Sequence, residues 1–328
     1  MRDIYTQAGL LLIQSGTILD HKYLRLLQDH RIELFERDVR VVVSFAAEQE
    51  QCREEVEQAT LKVQTYFDEI RANQKVPIED IRTDVMPHIA QAAEHPHLFG
   101  LLNNLQAKDD YTYRHNIGVG ILAALLGKWL GLGDADVTEL AMAATLHDIG
   151  KMRIPVEVLN KPGRLTDDEF ALIKKHPEFG YEMLQTTSGA TERDLLVALQ
   201  HHERQDGSGY PYGIRGGEMD YFSRIVAVCD VYHAMSSKRS YHEPSPFYQI
   251  LNQMESNKFG EFDPHIVNVF IDRMMKMMVG NEVLLSDGRV GLIVMINTSE
   301  PLRPLVKIGS EFIDLRYYPS VQIEQVIV

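Results

Sequence analysis

Leu140-Ala141-Met142-Ala143-Ala144-Thr145-Leu146-His147-Asp148-Ile149-Gly150-Lys151 is the stretch from which the rest of the chain is read. An unbroken run of helix-forming residues ends in an imidazole and a carboxylate on adjacent positions. One helix end therefore offers a terminal nitrogen ligand and an oxygen ligand able to bridge two cations. Gly150 is the expected stop of that helix. A His-Asp pair also serves as plain capping, so its weight depends on what stands elsewhere.

Outward from this point, positions 78 to 280 carry apolar residues at helical spacing, interrupted by short glycine- or proline-marked turns at 131–133, 162–163, 206–217 and 244–246. An all-α domain over 76–280 is expected. Upstream, 46–75 lacks glycine and proline. There Val56, Ala59, Val63, Tyr66, Phe67 and Ile70 form one apolar stripe, with Glu48, Glu50, Glu54, Glu55 and Glu57 loading its first half. Such a helix packs on a neighbouring domain or pairs with its own copy in a homodimer. Before it, the run Gly9-Leu10-Leu11-Leu12-Ile13 reads as a strand, Asp20 caps a helix from His21 to about His30, and Val39-Arg40-Val41-Val42-Val43 reads as a second β segment. Residues 1–75 are thus a small α/β module plus linker helix. Past 280 the period changes to two: Glu282-Val283-Leu284-Leu285 and Arg289-Val290-Gly291-Leu292-Ile293-Val294 flank Ser286-Asp287-Gly288, and strands follow at Leu305-Val306-Lys307-Ile308 and 321–328. Residues 281–328 form a small β-barrel or meander, so the fold class is mainly α.

Composition narrows the function. Net charge is −14 over 328 residues, which disfavours nucleic acid and anionic membrane as partners. An anionic substrate then requires cations gathered locally, and metal ions do this most compactly. The two cysteines, Cys52 and Cys229, match no metal or redox spacing and suit a reducing cytoplasm. No signal peptide is read at the start, and no apolar run is as long as a membrane span.

Candidate ligands recur through the helical region as His115, His147-Asp148, His176, His201-His202 and Asp230, at gaps of 32, 29, 25 and 29 residues. Each gap is about one helix plus its return, so successive helices can deliver ligands to one depth of a bundle. Seven nitrogen and oxygen ligands without sulfur suit two borderline divalent ions, iron or manganese, with Asp148 bridging them. Singly, each has a plainer reading. His115 reads as an ordinary partly buried histidine, His176 before Pro177 as a helix end, and His201-His202-Glu203 as a solvated patch. Asp230 resists this, because it sits in Ile225-Val226-Ala227-Val228-Cys229-Asp230-Val231, where an uncompensated carboxylate is costly.

His147-Asp148-Ile149-Gly150-Lys151, followed by His201-His202-Glu203-Arg204-Gln205-Asp206-Gly207-Ser208-Gly209-Tyr210-Pro211, resembles the paired signatures of the HD-GYP subgroup of HD-domain phosphohydrolases. The resemblance extends from about residue 109 to about 241. It implies that His115, His147, Asp148, His176, His201, His202 and Asp230 bind the metals, with Lys151 beside them. It also implies a substrate, cyclic di-GMP, cleaved to linear pGpG and in some members onward to GMP. A metal-bridging hydroxide would attack the phosphodiester. Asp148 and Lys151 are then the catalytic pair, and Lys151, Tyr210 and Arg239 the substrate contacts, Arg239 by its match to the family position in Ser237-Lys238-Arg239-Ser240-Tyr241.

Two positions depart from the family. Some members hold a third metal through a glutamate four residues before the first histidine, where this chain has Tyr111; Asp109 and Asp110 lie off that face, so two metals are expected. A second aspartate often follows three residues after Asp230, and here it is His233. The competing readings are another HD-type nucleotide phosphohydrolase and a weakly catalytic cyclic di-GMP receptor signalling through 1–75.

Overall fold

The stripe between 46 and 75 becomes the inner face of helix α1 (Phe45–Asn73), on which Val56, Ala59, Val63, Phe67 and Ile70 are all buried. In the computed structural model the described residues are 4–5, 11–13, 27, 32, 45–94, 111–237 and 245–327. They fall into two compact units, Met1–Gln51 and Cys52–Val328. In the first, β1 (Ile4–Tyr5) pairs antiparallel with β2 (Leu11–Ile13), inside the run read as a strand. Leu27 is helical and buried. The rest of the helix expected after Asp20, and the β segment at 39–43, lie outside the described residues.

In the second unit the α1 stripe shares a core with Ile78 and Ile81 of α2 (Ile78–Asp84) and Ile89 of α3 (Met86–Ala92). Polar ties hold the helix in place: Tyr66 donates to Asp84 at 2.6 Å, and Arg71 donates to the Ile154 carbonyl at 2.9 Å. Of the two uses read for the stripe, it serves packing within the chain.

The bundle follows as α4 (Tyr111–Trp129), α5 (Asp134–Leu146), a 3-10 turn (Ile149–Arg153), α6 (Val156–Leu159), α7 (Asp167–Ile173), α8 (His176–Gln185), α9 (Glu192–Gln200), α10 (Tyr221–Ser236), α11 (Phe247–Asn257) and α12 (Pro264–Lys276). Helix starts are written in the sequence: Thr166 and Thr191 form capping boxes with Glu169 and Asp194, and Asp220 and Asp263 cap α10 and α12. α4 is central. Its Ile117, Val119, Ile121, Leu122 and Leu126 are fully buried, and it packs against α3, α5, α10 and α12. An all-round apolar helix of this kind belongs in a core, and truncating one such side chain to alanine costs roughly 2–5 kcal/mol.

The C-terminal strands β3 (Glu282–Leu285), β4 (Val290–Met295), β5 (Leu305–Ile308), β6 (Glu311–Asp314) and β7 (Ile323–Ile327) make one antiparallel sheet in the order β6-β5-β4-β3-β7. It is an open meander in which β7 returns to the free side of β3. Gly288, at φ +84°, makes the β3–β4 turn. The sequence reading missed β6, whose Glu-Phe-Ile-Asp turns only Ile313 fully inward. Val283, Leu285, Ile293, Val306, Ile313 and Ile323 join the same core cluster as the helices. Tyr248 of α11 donates to the Leu302 carbonyl and ties the two together.

Candidate metal centre

Three histidines are aimed by the helix ends that carry them. His147 is the C-cap of α5, and its Nδ1 lies 2.7 Å from the Ala144 carbonyl. His176 opens α8, with Pro177 in the first turn, and its Nδ1 lies 2.7 Å from the Ile173 carbonyl. His201 is the C-cap of α9, with Nδ1 3.0 Å from the Ala198 carbonyl. A carbonyl only accepts, so each Nδ1 carries the proton and each Nε2 presents a lone pair. His176 therefore begins a helix where the sequence suggested that it ends one; proline fits the first turn because its missing N–H would have had no partner there.

All the Nε2 atoms converge on Asp148, which lies between the end of α5 and the 3-10 turn. His176 Nε2 is 3.2 Å and His201 Nε2 3.7 Å from its Oδ1; His147 Nε2 is 3.4 Å and His115 Nε2 3.9 Å from its Oδ2. Asp230, in the middle of α10, sets Oδ1 3.1 Å from His115 Nε2 and Oδ2 3.8 Å from His202 Nδ1. Two ligand groups result, Asp148 with His176, His201 and His202, and Asp148 with His115 and His147. Asp148 belongs to both. The structure thus brings together all seven residues expected as ligands.

These side chains fit divalent cations on their own chemistry. His147 Nε2 and Asp148 Oδ1 are buried without a hydrogen-bond partner. His176 Nε2 and His201 Nε2 face each other at 3.2 Å, two lone pairs that a positive charge between them would reconcile. Burial opposes ionising Asp148, yet Lys151 and His147 hold its carboxyl well below the usual carboxylate range. Burial likewise opposes Asp230, and His115 outweighs it, so this carboxyl is also held low. Burial pushes His201 down to about 4 and His202 well below its ordinary value, keeping both imidazoles neutral and able to donate a lone pair. Burial also lowers His115. His147 alone rises: burial works against it, but the Asp148 charge prevails.

Around the ligands, Lys151 Nζ donates to Asp148 Oδ2, and its side chain is partly exposed. The Tyr210 ring stacks on His202 at 4.6 Å between centroids, and Lys174 Nζ lies 5.5 Å from the centre of that ring. Of the seven candidate ligands His202 has the most exposed side chain, at 19%. The open side of the site therefore carries Lys151, Lys174, His202 and Tyr210, and Lys174 was not read from sequence. Arg239, Asp109, Asp110 and the side chain of Tyr111 lie outside the described residues.

Two features correct the sequence reading, and a third places the histidine that stands where the family often has an aspartate. Glu203 is no solvated patch: it is fully buried and accepts from the backbone N–H groups of Tyr212 at 2.8 Å, Gly213 at 3.1 Å and Ile214 at 3.1 Å, organising the Gly-rich loop from inside. Gly150 is required by proximity more than by turning, since a Cβ there would sit 1.9 Å from the His176 carbonyl oxygen and 2.4 Å from the Gly180 nitrogen. His233 Nδ1 lies 3.1 Å from His115 Nδ1, and its Nε2 occupies the place of a Gly118 side chain, 2.0 Å from where that Cβ would be.

The HD domain family matches residues 86–266, more than half of the chain. This chain belongs to that family. The HD-domain chain is 38% identical over 219 residues to a protein of Pseudomonas aeruginosa named cyclic di-GMP phosphodiesterase, covering 67% of this chain and 53% of that one. It is 33% identical over 180 residues to a 3'3'-cGAMP-specific phosphodiesterase of Vibrio cholerae, covering 53% and 34%. The HD-domain chain thus spans about half, or less, of the length of the relatives it matches. In fold it is similar to Bd1817, a HDG"Y"P protein from Bdellovibrio bacteriovorus, with a TM-score of 0.54 at 17% identity over 83% of this chain and 93% of that one.

Proposed function

We propose that this chain is a phosphodiesterase that hydrolyses cyclic di-GMP to pGpG using two divalent ions, iron or manganese; whether cleavage continues to GMP is read from the products. The observation that carries the reading is the sharing of Asp148 between two ligand groups beside the Gly209-Tyr210-Pro211 loop. His115, His147, Asp148 and Asp230 would hold one ion, and Asp148, His176, His201 and His202 the other. Such ions supply a water acidic enough to attack at neutral pH and positive charge for the phosphoryl oxygens.

The chain's own residues do the rest. Lys151 keeps Asp148 ionised and presents an ammonium where a phosphate oxygen or the leaving 3'-oxygen would lie. Tyr210, held flat against His202, offers a face on which a base can stack, and Lys174 adds a cation on the same rim. Arg239 is assigned a phosphate or guanine contact by its place in the family signature. Residues 76–280 are the catalytic part in this reading, with 1–75 as a signal-receiving module and 281–328 as an appended β unit. The buried free thiols of Cys52 and Cys229 suit a cytoplasmic setting.

The test is product analysis of metal-loaded protein given cyclic di-GMP, 3'3'-cGAMP and mononucleotide substrates, with metal quantified in parallel. Linear pGpG is expected, and the appearance of GMP at longer times would add a second cleavage. Tight binding without turnover would point to a receptor, preference for a mononucleotide to another HD-type phosphohydrolase, and preference for 3'3'-cGAMP would reassign the substrate within the class.

A further inference from the structure

The outward face of the C-terminal sheet has the wrong chemistry for a face left to water. An antiparallel sheet with one solvated side alternates apolar and polar residues along each strand. On the central strand β4 the outward residues Val290, Leu292 and Val294 are all apolar and 46%, 37% and 36% exposed. Strands that read as continuous apolar runs are those covered on both faces.

The register gives the order of side chains across this face. Ile327 of β7 pairs with Glu282 of β3, Glu282 with Leu292 of β4, Leu292 with Lys307 of β5, and Lys307 with Phe312 of β6. Every member of the row is exposed. Paired residues of neighbouring strands point to the same side. The row therefore reads apolar, acidic, apolar, basic, apolar, with Leu292 at its centre.

This sequence is complementary to itself under one symmetry operation. We propose that the outward face of the sheet is a self-association surface that takes a second copy of this chain about a two-fold axis running along β4. That axis sets Leu292 on Leu292, Glu282 on Lys307 of the second copy, and Ile327 on its Phe312. Val290 and Val294 lie along the axis and meet their own counterparts. An axis across the strands would instead set Glu282 on Glu282 and Lys307 on Lys307, so the charges select one arrangement. Sheets stack roughly 10 Å apart, and Glu282 and Lys307, two strands apart, are separated by roughly 10 Å within the sheet, which lets both ion pairs form at once. The interface is isologous and closes as a dimer.

The test is sedimentation of the full chain over a concentration series, with variants that leave the metal centre untouched. The parent should be a dimer, and Leu292→Glu should be a monomer at the same concentrations. Glu282→Lys and Lys307→Glu, each creating two like-charge contacts, should weaken association about tenfold or more. The double variant carrying both changes should recover it. A parent that stays monomeric, a dimer indifferent to Leu292→Glu, or a double variant no tighter than the singles each overturns the proposal. A face covered by residues 1–51 of the same chain would show as a monomer whose melting temperature falls in Leu292→Glu, and would also overturn it.

Discussion

His115 Nδ1 and His233 Nδ1 face each other at 3.1 Å, so one of the two imidazoles must donate and the other accept. If His115 gives its Nε2 to a cation, its Nδ1 carries the proton and His233 is the acceptor. A neutral imidazole here polarises His115 less than the aspartate that often stands at this position in the family. Partners of this kind tune metal affinity by roughly 10- to 100-fold. We predict that His233→Ala lowers affinity for the ion held by His115, His147 and Asp230 by at least about tenfold, while His233→Asp retains or raises it; titration of metal-free protein by calorimetry decides. Gly118→Ala should destabilise the parent by about 1–3 kcal/mol, because its methyl would enter the His233 ring, and cost much less with His233→Asp. Additive losses in that pair would show that the ring and the glycine are not coupled.

Asp148 stands in both ligand groups, so its loss should not be confined to one ion. Elemental analysis of the parent should give about two metals per chain, and Asp148→Ala should lose both along with turnover, while its far-UV circular dichroism stays helical. Retention of one full equivalent in the variant would show that the groups are independent.

Gly150→Ala should act on the metal through the backbone. The added methyl meets the His176 carbonyl and the Gly180 amide, so the 3-10 turn must move away from the start of α8. Overpacking of this kind costs about 1–3 kcal/mol or more. Metal content should fall with stability, because His176 and Asp148 lie on opposite sides of the contact. A variant with normal metal content and an unchanged melting temperature would contradict the geometry.

Acid should weaken the metal-free protein in a defined window. Burial places His201 at about 4, below its ordinary 6.5, so the unfolded chain takes up a proton first as pH falls. The His201 contribution, up to about 3 kcal/mol, is lost between about pH 6.5 and pH 4, and below that the depressed carboxyls of Asp148 and Asp230 continue the decline. His202 acts in the same direction, and His147, whose value is raised, acts against it. Denaturant melts of the metal-free protein across this range should show the decline, and His201→Gln should flatten it.

The candidate ligands were legible for two reasons: His115 and Asp230 are polar groups inside otherwise apolar helical runs, Asp230 in α10 being the plainest case, and His147-Asp148, His176 and His201-His202 recur at helix ends about one helix apart. Glu203, Lys174 and the contact between Gly150 and α8 were not, because their meaning lies in the approach of segments far apart in sequence. Glu203 acts on a loop that begins only when the chain has turned back, and nothing in His201-His202-Glu203 distinguishes an inward from an outward carboxylate. Strand β6 escaped for a different reason: four residues with one fully buried side chain carry too little alternation to stand out.

His147, His176 and His201 are each tethered to the carbonyl three residues earlier in their own helix or turn. The aim of these rings is thus a local property of three helix ends, fixed by the same backbone that closes the fold and independent of any cation. A chelator whose arms are already set loses little conformational entropy on binding and cannot widen for an ion of another size. Stripping the metal should leave a standing template, reloaded without refolding, and discrimination among cations would then reside in how rigidly that template resists being bent.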